Sequence, residues 1–142
     1  MRHPDWETRL SEMIESVRDE PLVWGVHDCL TFINAAHHAL KGDFLSPEWF
    51  CDYDTAYRAK VMYAKKIKET GFNGIIEGID SKLDRQTGLI APRGSIAARP
   101  LECNTVLGYA FGVVVSDKIA FLSAGGLDFS QPVETDIFWS VE

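Results

Sequence analysis

The sequence has no histidine after His38, no Cys-x-x-Cys pair and no apolar run long enough to span a bilayer. Each absence excludes something. Without a later histidine, the C-terminal two thirds of the chain offer no imidazole as a general base. The three cysteines, Cys29, Cys51 and Cys103, are an odd number without regular spacing. They make neither a disulfide framework nor a zinc site, and they fit synthesis in a reducing compartment. No metal and no cofactor is expected. Met1-Arg2-His3-Pro4-Asp5-Trp6 contains no apolar signal core, which argues against export by a cleaved leader. Membrane insertion is not expected either. Positive charge is scarce: 14 Lys and Arg stand against 21 Asp and Glu, a net charge of −7. Nonspecific nucleic-acid binding needs a basic surface, so nucleic acid is not an expected partner. At 142 residues, the chain is long enough for one core and short for two, giving a single domain over 1–142.

What is present divides into a helical half and a β half. Asp5 is placed to cap a helix carrying Trp6, Leu10, Met13, Ile14 and Val17 on one face, with Pro21 ending it. A second helix follows Trp24-Gly25, with the stripe Leu30, Ile33, Ala36 and Leu40 and Gly42 just past its end. Residues 44–53 read as a loop. A third helix is predicted from Asp54 to about Thr70, with Ala56, Tyr57, Val61, Ala64 and Ile67 inward and Gly71 as the stop. Residues 73–83 read as a short fourth helix weakened by Gly74 and Gly78. Beyond Gln86 the pattern is β. Strands are expected over 106–115 and 119–122, joined at Ser116-Asp117-Lys118, then around Leu127-Asp128-Phe129 and over 137–141. Helices before antiparallel strands give an α+β fold, with N-terminal helices packed on a small C-terminal antiparallel sheet.

The stretch Trp24-Gly25-Val26-His27-Asp28-Cys29 carries the chemistry. Cys29 falls at the start of the second helix, where unpaired N–H groups and the helix dipole favour thiolate. It is the candidate nucleophile. Asp28, next to it, is placed to cap the helix. His27 is two residues away and fits a turn-stabilising hydrogen bond better than a proton transfer. His37 and His38 lie ~12 Å and ~13.5 Å along the helix from Cys29, out of direct reach, and read as a surface pair. The residues thus supply a nucleophile position without an evident base. Two readings of Cys29 stay open: a reacting thiol, or a packed one. Trp24, Phe32 and Trp139 read as core anchors, Cys51 and Cys103 as structural, and Lys65 to Lys68 as a solvated helix end.

The layout resembles the NlpC-type cell-wall cysteine peptidases, which have a papain-like α+β fold. It resembles more closely a divergent branch of small proteins from phage and prophage tail gene clusters. The likeness rests on Trp24 to Cys29, Gly94-Ser95, Gly125-Gly126-Leu127 and Trp139, and covers nearly the whole chain. It implies Cys29 at the nucleophile position. Two departures stand out. Ser95 replaces the aspartate of a Gly-Asp pair that begins the sheet. If Gly112 is the glycine two residues after the usual strand histidine, that position is Ala110.

The resemblance implies a phage tail-tip component, made in the host cytoplasm and carried in the virion tail. Its expected partners are other tail proteins, with peptidoglycan as a further one. The missing histidine implies a degenerate site serving tail assembly or cell-wall penetration. The alternative is an active peptidoglycan amide hydrolase in which Cys29 works with an unconventional or partner-supplied base.

Overall fold

Apolar residues at three- and four-residue spacing build the first half of the fold. The computed structural model of the chain describes residues 1–88, 91–101 and 107–142. Helix α1 spans Trp6–Val17, α2 Cys29–Lys41, α3 Ala56–Glu69 and α4 Ile75–Asp80. A short 3-10 turn, Pro47–Trp49, lies in the segment expected to be loop. Six strands follow: β1 Asp84–Gln86, β2 Ile96–Pro100, β3 Tyr109–Val114, β4 Ile119–Ser123, β5 Gly126–Ser130 and β6 Ile137–Ser140. They form one sheet in the order β1-β6-β2-β3-β4-β5, with every neighbouring pair antiparallel. The expected class, helices before an antiparallel sheet, is the class observed. Strand β2 begins directly after Gly94-Ser95. Val106 and Cys103 lie outside the described residues.

The central strands are buried on both faces over much of their length, which is why Val113-Val114 reads as an apolar run rather than an alternation, while the edge strands β1 and β5 are largely exposed. Ile96, Ala98, Phe111, Val113, Ala120 and Trp139 face the helices, against Leu10, Ile14, Phe32 and Leu40. Ala97, Val114, Ile119, Phe121 and Phe138 form a second cluster on the far face. There Arg99 pairs with Asp136 at 2.7 Å and stacks over Phe121. Helix α1 is tied to the edge strand β5 by the Leu127 amide, which donates to the Arg18 carbonyl at 2.9 Å. The two chain ends also meet: Arg2 Nε donates to the Val141 carbonyl at 2.5 Å, and the Met1 ammonium to the Glu142 carbonyl at 3.2 Å.

Several local expectations give way. Asp5 precedes α1 but makes no cap bond; its carboxylate takes Arg9 Nε at 2.8 Å instead. Helix α3 is rotated from the predicted face. Ala59, Tyr63 and Ile67 are buried, while Tyr57 and Val61 are exposed. The reason is the Tyr63 hydroxyl, which finds a buried partner described below. His37 is buried, with Nδ1 2.7 Å from the Asp43 carbonyl, so only His38 is a surface residue. Gly78 is in place for packing: a Cβ there would lie 2.5 Å from Trp49. Trp49 in turn donates its indole N–H to Thr70 at the end of α3, at 3.0 Å.

Candidate active site around Cys29

A tight turn delivers the chain to α2. The amides of Val23 and His27 each donate to the other's carbonyl at 2.8 Å, closing the loop Val23–His27. Gly25 sits inside it at φ +85°, and a Cβ there would lie 1.9 Å from the Tyr53 carbonyl oxygen. No side chain fits that approach, which fixes glycine after Trp24.

Asp28 then caps α2 as its position in the sequence predicts. Oδ1 accepts from the amides of Leu30 at 3.1 Å and Thr31 at 3.0 Å, and the Asp28 amide donates back to Thr31 Oγ1 at 2.7 Å. This reciprocal box satisfies orphan donors at the helix start. Oδ2 accepts from the Gly25 amide at 3.1 Å and from the Tyr53 hydroxyl at 2.5 Å. Tyr63 Oη lies 3.2 Å from Tyr53 Oη. Tyr53 has one proton and the carboxylate takes it, so Tyr63 donates to Tyr53. Asp28 is 1% exposed, with four donors on two oxygens. It is a structural hub without spare capacity to take a proton from Cys29. Nothing local in the sequence marked Tyr53 or Tyr63: one lies in the expected loop, the other off the expected stripe.

Cys29 is buried at the first position of α2, against β3. Burial, and then the Asp28 charge, push its thiol up to about 12. The amides of Phe111, Cys29 and Leu30 pull in the opposite direction and lose. The helix-start argument for a thiolate is therefore outweighed: with water removed, the neutral form is favoured. Tyr53 and Tyr63 are likewise raised above the ordinary phenol range, in both cases by burial first.

The His27 ring packs edge-on against Phe32, with centroids 6.5 Å apart, and its buried Nε2 has no hydrogen-bond partner among the described residues. The backbone of His27 holds the turn; its ring does not. Ala110, at the position aligned with the usual strand histidine, lines the same cavity as Cys29. Ala110 pairs with Arg99 and packs against the far-face cluster. Because strand side chains alternate, Tyr109, Phe111 and Val113 lie on the helix side of the sheet, and Tyr109 and Phe111 of these line the cavity at Cys29.

Cys29 borders a half-open cavity of about 650 Å³, with Leu22, Trp24, Tyr109, Phe111 and Leu122 in its wall. Trp24 is thus a wall residue and only half-buried, whereas Phe32 and Trp139 are core. No charged side chain lines the cavity among the described residues. Cys51 is a second free thiol, half-buried and also raised by burial. Among the described residues, no group of three His, Cys, Asp or Glu side chains is placed to hold a metal ion, and no helix is long and apolar enough to cross a membrane.

Neither the curated proteins nor the solved structures contain a match to this chain. Residues 1–141 match the model of a family described as Domain of unknown function (DUF6950), and the chain belongs to that family.

Proposed function

We propose that this protein is a phage or prophage tail component with an NlpC-like, papain-like fold whose hydrolytic site has been lost. It serves tail assembly or cell-wall penetration as a docking module. The observation that carries the loss of chemistry is the state of Cys29: a buried thiol held neutral, beside a carboxylate already saturated by four donors. A cysteine hydrolase needs the opposite, a thiolate with a base in hydrogen-bond reach. The order of elements supports the papain-like reading. A cysteine opens a helix that packs on an antiparallel sheet, and the strand against that cysteine is β3. The tail location rests on the resemblance at Trp24 to Cys29 and the later motifs.

The alternative, an active amide hydrolase with a base supplied by a partner, draws on one observation: the thiol borders an open cavity rather than a closed core. Incubation with purified peptidoglycan, with chromatography of released fragments, separates the two. The docking reading expects the native protein and Cys29→Ala to be equally silent, alone or with tail proteins added. Fragment release that depends on Cys29 would overturn it.

A further inference from the structure

Helix α3 concentrates positive charge on an acidic protein. Arg58, Lys60, Lys65, Lys66 and Lys68, five of the chain's 14 cations, fall within its 14 residues, in a chain of net charge −7. Its inner face, Ala59, Tyr63 and Ile67, is buried. Its outer face is open: Tyr57 is 76% exposed and Val61 47%, and Ala64 and Lys68 are exposed as well. Steps of four, three and four residues separate these positions, so they fall in one stripe along the helix. Asp52 and Asp54, both exposed, lie just before the helix begins. The surface thus runs from acid, through an apolar middle of Tyr57, Val61 and Ala64, to the cations Lys65 and Lys68. None of the charged groups Asp54, Arg58, Lys60, Lys65 and Lys68 takes part in an ion pair among the described residues. A surface graded in this way complements itself when turned end for end.

We propose that the outer face of α3 is covered by the same face of a second copy of this chain, the two helices antiparallel about a two-fold axis at Val61. A two-fold contact is isologous, so every pairing occurs twice. Seven residues before Val61 is Asp54 and seven after it is Lys68; four residues before is Tyr57 and four after is Lys65. Asp54 of each copy therefore meets Lys68 of the other, and the Tyr57 ring meets the Lys65 ammonium, an ion pair and a cation–π contact. Arg58 falls opposite Ala64, and Val61 meets itself on the axis. A parallel pairing would set cation against cation instead. Both ends of the complementarity lie in this chain, which commits the face to a second copy rather than to a uniformly acidic partner. A helix of 14 residues is about 21 Å long, a small interface, so the dimer is weak and concentration-dependent. The inference goes beyond the docking reading and needs neither the tail location nor the state of Cys29.

Sedimentation of the full chain, from about 10 μM to about 1 mM, reads the association directly. A buffer of ~0.15 M salt screens the long-range repulsion between two acidic copies and leaves close contacts in place. The expected result is a mass that climbs from monomer toward dimer. Val61→Arg, Asp54→Lys and Lys68→Glu should each weaken the dimer about tenfold or more. The double variant Asp54→Lys/Lys68→Glu exchanges the two ends and should recover the native dimerisation constant. An equimolar mixture of the two single charge variants should pair as a heterodimer, since one copy then carries cations at both ends and the other acids. All three positions are exposed, and an unchanged circular dichroism spectrum excludes a folding defect. A chain that stays monomeric throughout the range would overturn the proposal, as would a dimer indifferent to Val61→Arg. Loss of the dimer in the single variants without recovery in the double one would also overturn it. Monomers that bind poly-glutamate through Lys65 and Lys68 would overturn it in favour of an acidic partner.

Discussion

At the scale of single residues, Asp28 decides what the site is. Its carboxylate ties together the turn before α2, the helix start and the segment carrying Tyr53. Asp28→Ala removes the cap and leaves buried donors unpaired, for an expected loss of about 3 kcal/mol, read from urea denaturation. Tyr53→Phe keeps three of the four donors and should cost about 1 kcal/mol. Equal losses would mean that the Tyr53 hydroxyl bond carries most of what the Asp28 carboxylate contributes, and the other three donors little. The same cluster sets a pH response. Cys29, Tyr53 and Tyr63 all hold their protons to higher pH in the folded chain than outside it. The native state therefore binds more protons than the unfolded state at alkaline pH. Its stabilisation is complete below the unfolded values of roughly 8.5 to 10 and declines as pH rises toward the folded ones. The urea midpoint should fall between pH 7 and pH 10, and fall less in Tyr63→Phe. Alkylation of Cys29, followed by mass spectrometry, should show no inflection at or below the free-thiol value of ~8.5. A thiolate inflection at neutral pH would contradict the burial described here. The cap was legible because an Asp before an apolar period is a local signal. The neutral thiol was not, since it depends on how β3 covers the helix start.

At the scale of elements, periodicity locates the helices and most strands but misassigns one face. For α3, the apolar count favoured Tyr57 and Val61, yet the helix buries Ala59 and Tyr63. A phenol that satisfies its hydroxyl inside the core outcompetes an unpaired aliphatic stripe, and no spacing rule sees a partner ten residues away. On β3, aligning Gly112 puts Ala110 at the usual histidine position, and Ala110 both lines the cavity that Cys29 borders and packs against the far-face cluster. In the sequence Gly78 weakens α4, and helix propensity alone predicts a gain of up to ~1 kcal/mol for Gly78→Ala. The Trp49 ring occupies that space, so the expected result is a net loss of about 2 kcal/mol in thermal unfolding. Gly74→Ala meets nothing within 4 Å, so its cost is confined to the poorer cap that Ala makes at the start of α4 and should not exceed about 1 kcal/mol.

At the scale of the whole molecule, the fold is a two-faced sheet with helices on one side and a smaller apolar cluster on the other. The class was readable from the order of helices and strands. The strand order was not, because β6 returns between β1 and β2 through pairings distant in sequence. That return also brings residue 141 against residue 2, where Arg2 Nε meets the Val141 carbonyl. The connectivity is therefore nearly circular. A permuted chain, with the ends joined by a short Gly-Ser linker and a new opening cut at Ser116-Asp117-Lys118, should keep the same circular dichroism spectrum and the same sheet. In such a ring the direction of reading is fixed by the peptide bonds alone, and the hairpin turn is as natural a place to begin as residue 1.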